Sequence, residues 1–214
     1  MFRLTDFFTL FYYKFIEPNN TKDERWWSNN IDSRSVLSWM GLSFELVCLS
    51  HHKQIKIALR IAGVGTSVST WRSKTDSENG IPGFQIDLII ERADRIIHLC
   101  EMKFSTDLYG ITDSYESKLR ERTGLLCLAT KNKKALVITF VTTYGMVNGK
   151  HKSIVHSEVK MDDLFNSCLH TNVQLFYERR TFSPPRLPPC GVLRCMGKAM
   201  KKRNRFLSIA LWCF

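Results

Sequence analysis

The residues of this chain that could do chemistry lie in one short stretch. From Phe84 to Phe104 the sequence reads FQIDLIIERADRIIHLCEMKF. This is two apolar strands joined by a polar turn, with Asp87, Glu101 and Lys103 inside the strands, where a charge is costly to bury. Side chains alternate across a strand, so Gln85, Asp87 and Ile89 share one face, as do Leu99, Glu101 and Lys103. A turn centred near Asp94 pairs Asp87 with Glu101 and Gln85 with Lys103, and gathers four polar side chains on a face that is otherwise Ile and Leu. Directly opposed residues have Cβ atoms about 4.5–5.5 Å apart, which makes the two carboxylates neighbours. Adjacent carboxylates in an apolar setting repel unless a cation sits between them. Mg²⁺ (or Mn²⁺) suits that place because it takes hard oxygen ligands, and a carbonyl oxygen of Cys100 or Met102 could add another. Lys103 would point at the same spot, to stabilise developing charge or to help deprotonate a water. Together these groups suit metal-assisted phosphodiester hydrolysis. The bland alternative is a solvated Glu-x-Lys on an edge strand with a turn-proximal Asp87; the matching register and apolar flanks favour the metal site.

The surrounding elements must position that hairpin. RLTDFFTLFYYKFIEP carries Phe7, Phe8, Phe11, Tyr12 and Phe15 at helical spacings. Thr5 or Asp6 would cap this helix and Pro18 would stop it. Residues 19–32 are polar and loop-like except for Trp26 and Trp27. From Val36 to Cys48 the apolar residues recur at three- and four-residue spacings, predicting a helix, and a second amphipathic stretch runs over 54–61. Residues 64–74 alternate like a short strand, and 75–83 (TDSENGIPG) form a loop. After the hairpin, 114–128 reads as helix with Tyr115, Leu119, Arg122 and Leu126 along it. Lys131 to Lys134 is a basic turn, ALVITFVT (135–142) a buried strand, 153–160 another strand and 161–165 a short helix. Helix, strand, hairpin, helix, strand predicts an α/β (α+β mixed sheet) fold with one central mixed sheet flanked by helices. The expected divisions are an aromatic helix and loop over 1–32, the main domain over 33–170 and a tail over 171–214.

Composition supports a single substantial core, with 44% hydrophobic residues in a chain of 214. The sequence holds no apolar run of eighteen residues and no signal-peptide pattern, so no membrane and a cytoplasmic location are the default expectation. Seven scattered cysteines read as reduced core thiols. Cys190 and Cys195 lack the second pair that zinc would need, and His51-His52 reads as a helix end. The net charge of +11 belongs to the tail: nine Lys and Arg after residue 178 leave 22 basic and 20 acidic residues in 1–178, a net of +2. Basic charge is therefore a weak pointer to nucleic acid. The tail mixes Pro-rich, basic and apolar pieces. It reads as disordered or non-native, with a nucleic-acid or membrane appendage as the alternative.

Asp87…Glu101-Met102-Lys103 resembles the D…(D/E)-x-K core of the PD-(D/E)xK nuclease superfamily, and the element order agrees with that restriction-endonuclease-like fold. RLTDFFTLFYYKFIEP, WMGLSFELVCLSHHKQIKIALRIAGV, QIDLIIERADRIIHLCEMKFS, TKNKKALVITFVTTYG and DDLF together resemble the nuclease-like C-terminal region of prokaryotic AAA-type ATPases, over roughly residues 1–166. The resemblance implies a metal-dependent DNA nuclease with Asp87 and Glu101 as ligands and Lys103 as the catalytic lysine. Glu45, in GLSFELVCL, matches the helix glutamate that completes the metal site; its alternative is a surface acid. Tyr115, Arg122 and Gln85 are weaker substrate candidates; packing is the expected role of Tyr115, and the surface the expected place of Arg122. The chain departs from the family in having Ile86 where the motif name has proline. It also lacks G-x-x-x-x-G-K-[ST], since GVGTSVST has neither the lysine nor the spacing. A chain without the ATPase part implies a gene fragment, an excised domain or a stand-alone descendant, with an ATPase in trans as a partner. The competing function is a catalytically silent nuclease-fold module that binds DNA or regulates such an ATPase.

Overall fold

The computed structural model describes residues 6–19, 25–75, 83–130 and 133–165. The predicted tail, with Cys190 and Cys195, lies outside them, as does most of the 75–83 loop. Two compact units divide the chain, and their described parts fall within residues 6–47 and 48–165. The division passes through the long helix that composition assigns wholly to the main domain.

In the first unit Asp6 caps helix α1 (Phe7–Phe11), its carboxylate accepting from the Phe8 and Thr9 backbone N–H groups at 3.1 and 3.3 Å. The helix continues as a π-turn, Tyr12–Ile16, and Pro18 follows. An isolated helix this short and apolar would not persist in water, and aromatic packing supplies what it lacks. Phe11 meets Trp27 at 5.1 Å and Trp39 at 5.5 Å between ring centroids, while Phe15 meets Trp26 at 5.7 Å and Trp27 at 5.6 Å. Such pairs contribute about 1 kcal/mol each beyond the area they bury. They also correct the loop expectation for 19–32: Trp26–Asn30 is a short helix, α2, because its two indoles are drawn onto Phe11 and Phe15. Helix α3 (Arg34–Ser50) buries Val36, Met40, Phe44, Val47 and Cys48, the three- and four-residue rhythm seen in the sequence.

The second unit is built on a five-stranded mixed sheet in the order β1-β2-β3-β4-β5, and the fold is α/β as expected. Helix α4 (His52–Ala58) leads into β1 (Thr66–Arg72), which runs antiparallel to β2 (Gln85–Arg92). The hairpin to β3 (Ile96–Lys103) pairs Leu88 with Cys100, Ile89 with Leu99, Ile90 with His98 and Glu91 with Ile97, every rung centred on Asp94. Arg95, at φ 70, takes the left-handed position that lets a three-residue loop close. Arg92 braces the same turn by pairing with Asp94.

Strands β3, β4 (Ala135–Thr142) and β5 (Val155–Lys160) are mutually parallel. Parallel strands need crossovers, and helix α5 (Asp113–Thr130) supplies the first. Thr112 starts it, its hydroxyl accepting from the Tyr115 N–H at 3.3 Å. Tyr115, Leu119, Arg122 and Leu126 then recur at four- and three-residue steps and turn toward one face of the sheet. Leu126 packs with Ile89, Ile97 and Leu99, and Leu119 with Ile138 and Phe140. A 3-10 turn, Lys150–Ile154, completes the second crossover. Among the described residues, no helix is long and apolar enough to cross a membrane. Leu126 is 3% exposed, so Leu126→Ala should lower unfolding free energy by about 3 kcal/mol, read from the urea midpoint at unchanged slope.

Candidate active site

Glu101 is 5% exposed, on the β3 face that α5 covers. An ionised carboxylate in such a place needs partners, and it has three. The Tyr115 hydroxyl donates to Glu101 Oε2 at 2.6 Å, Lys103 Nζ stands 3.4 Å from the same oxygen, and Arg122 Nη1 stands 3.6 Å from Oε1. Simple periodicities bring them together. Glu101 and Lys103 are two apart on a strand and share a face, while Tyr115 and Arg122 are two turns apart on a helix and share a face. The Lys103 ammonium also lies 5.3 Å from the centre of the Tyr115 ring, a cation–π arrangement. Burial first, and then the negative charge of Glu101, push the Tyr115 phenol far above its ordinary pKa, so it remains a donor.

Asp87 lies on the same side of β2 as Ile89, whose rung partner Leu99 lies on the same side of β3 as Glu101. It is half-buried, and Oδ1 accepts from Gln85 Nε2 at 3.0 Å. Among the described residues, Oδ2 has no partner. In place of the expected cross-strand pairs, the contacts run along each strand: a Gln85–Asp87 hydrogen bond and a Glu101–Lys103 ion pair. The described ladder ends at Leu88–Cys100, one step short of the Asp87–Glu101 rung that the register implies.

Glu101 and Lys103 lie toward the carboxyl end of β3, beside that of its parallel neighbour β4; β2 runs the other way, so its first residues share that end. Two loops meet there. Tyr109 N–H donates to Gly145 O at 2.8 Å, and Val147 N–H donates to Tyr109 O at 2.9 Å. The Tyr109 ring stacks on Phe140, the rung partner of Glu101, at 5.8 Å. Burial, and next the Glu101 charge, raise the Tyr109 pKa. Gly145 adopts φ +108, and a side chain at that position would come within 2.9 Å of Glu158 Oε1, so the second loop requires glycine.

Family models, curated proteins and solved structures offer no match to this chain.

The residues expected from the sequence fall into three groups. Glu101, Lys103 and Tyr115 form one contact cluster, and Asp87 with Gln85 sits on the neighbouring strand. Glu45 is half-buried on α3 and belongs to the first unit, whereas all the residues above belong to the second. Arg122 is the correction. Expected at the surface, it is 31% exposed and reaches Glu101, because a cationic side chain in the inward stripe of α5 must find an anion. That stripe was the available signal; Tyr109, which reaches the site through a loop bridge, had none. His98 is a separate buried group on the other face of β3. Burial, followed by the Arg92 charge, lowers its pKa to about 4, and its Nδ1 lies 2.9 Å from Thr139 Oγ1.

Among the described residues, no three His, Cys, Asp or Glu side chains gather to hold a metal ion. Asp87 and Glu101 remain as two hard oxygen donors that fit Mg²⁺ or Mn²⁺ in kind. Lys103 and Arg122 already offset the Glu101 charge, which weakens a cation site.

Glu101→Ala should cost on the order of 2 kcal/mol, because Lys103, Arg122 and the Tyr115 hydroxyl lose their shared anion. In a double-mutant cycle with Arg122→Leu, urea unfolding should give a coupling of about 1 kcal/mol. Additive losses would show that the two side chains do not interact.

Proposed function

We propose that this chain is a metal-dependent phosphodiesterase acting on DNA, a restriction-endonuclease-like domain akin to the PD-(D/E)xK nucleases. The observation that carries this reading is the buried Glu101, two residues from a half-buried Lys103, at the carboxyl end of a parallel pair, with a carboxylate oxygen of Asp87, unpartnered among the described residues, on the adjoining strand. Asp87 and Glu101 would hold Mg²⁺ (or Mn²⁺), which when bound makes water nucleophilic and neutralises charge on the phosphate. Lys103, 28% exposed, keeps its ammonium beside Glu101 and presents it to a non-bridging phosphate oxygen. Arg122 adds a second positive charge to the same edge. Tyr115 and the packed apolar floor of Leu99 and Phe140 keep the carboxylate still and water away from its buried side. A cytoplasmic setting and an ATPase in trans belong to the same proposal.

A second reading has its own support. Glu101 already has two cations and a hydroxyl as partners, so the cluster is self-consistent without a metal. This favours a silent nuclease-fold module that binds DNA or regulates an associated ATPase. The body's net charge of only +2 over residues 1–178 points the same way.

Cleavage of single- and double-stranded DNA in Mg²⁺ or Mn²⁺ separates the two. A nuclease should lose about 100-fold or more of its rate in Asp87→Asn and in Lys103→Ala, both still folded. Wild-type and variant chains that share one background rate would establish the silent module.

A further inference from the structure

We infer that Tyr115 is the positioning residue of this site, one side chain that directs both charged groups: its hydroxyl fixes Glu101 Oε2 and its ring carries the Lys103 ammonium. The inference rests on the metal-dependent reading and adds to it the residue that gives Glu101 its orientation.

Three observations support it. First, the two contacts come from different parts of the ring system, the hydroxyl at 2.6 Å from Oε2 and the ring centre at 5.3 Å from Nζ. Lys103 and Glu101 stay 3.4 Å apart, so the lysine is held near the carboxylate without closing a short ion pair on it. Second, with Oε2 engaged, Oε1 is the oxygen left for another ligand. Its neighbour Arg122, at 3.6 Å, lies beyond hydrogen-bond distance. Third, the first turns of α5 are braced from outside. Lys150 pairs with Asp113 at 2.7 Å, His151 meets Glu116 at 2.5 Å, and Arg120 pairs with Glu116 at 2.6 Å. Leu119, one turn on, is buried against Ile138 and Phe140. Tyr115 is therefore held partly by neighbours other than Glu101: it packs against the cluster of Leu119, Ile138, Phe140 and Met146, of which Phe140 is the rung partner of Glu101. Groups that orient a ligand's donor atom commonly set metal affinity and activity by 10–100-fold.

The test is calorimetric titration with Mn²⁺ of the wild-type chain, Tyr115→Phe, Tyr115→Leu and Leu126→Ala. Tyr115→Phe keeps the ring and loses the hydroxyl, and should weaken Mn²⁺ binding by about ten-fold with little change in Tm. Tyr115→Leu also releases Lys103, and should further lower kcat for DNA cleavage at saturating Mn²⁺. Leu126→Ala, three turns further along α5 and packed in a cluster that does not include Tyr115, should lower Tm and leave Mn²⁺ affinity as it is, separating lost stability from a lost orientation. Equal affinity in the wild-type chain and Tyr115→Phe would overturn the positioning role while leaving the metal site standing. A wild-type chain that binds no Mn²⁺ would overturn the metal reading and this inference with it.

Discussion

A negative charge buried on a sheet face shapes everything around it. Glu101 is nearly inaccessible to water, and an isolated carboxylate there would cost several kcal/mol or take up a proton. The chain answers with a lysine two residues on, an arginine and a tyrosine from the helix that covers the face, and aromatic stacking beneath. Removing any one partner leaves the others sharing the charge. Removing Glu101 itself leaves two cations facing a phenol. Groups arranged this way are costly to assemble for stability alone, since apolar residues of the same volume would serve as well.

The topology explains where the charge sits. The carboxyl ends of the parallel strands β3 and β4 both feed crossovers, so the loops after them leave from the same end of the sheet. The Tyr109–Gly145–Val147 hydrogen bonds join those loops. The hairpin then returns Asp87 to the same end on an antiparallel strand. One end of the sheet thus collects an acid from β2, an acid and a lysine from β3, and an arginine and a tyrosine from α5, with Arg95 and Gly145 in left-handed conformations in the hairpin turn and in the loop after β4.

Local patterns made much of this legible in the sequence. The hairpin register depends on one short turn, so its centre at Asp94 could be read directly, and with it the shared face of Asp87 and Glu101. The buried runs of β3 and β4 and the stripe Tyr115–Leu119–Arg122–Leu126 follow from periods of two and 3.6. Contacts between distant segments were not legible. Trp26 and Trp27 stand as two indoles in an otherwise polar, loop-like stretch until Phe11 and Phe15 are beside them. Arg122 looks like a surface cation until its stripe is set against Glu101. Tyr109 enters the site only because a loop 36 residues further along the chain supplies Gly145. Glu45 shows the limit of pattern: its helix is correct, yet its neighbours depend on packing that no spacing encodes.

The most direct measurement is backbone-amide NMR during a titration with substoichiometric Mn²⁺, whose unpaired electrons broaden nearby resonances. A cation held by Asp87 and Glu101 predicts selective loss of signals from residues 85–88 and 100–104, and no such loss in Asp87→Asn. Broadening centred on Asp162 and Asp163, or spread evenly over the acidic surface, would contradict a metal site at the end of β3.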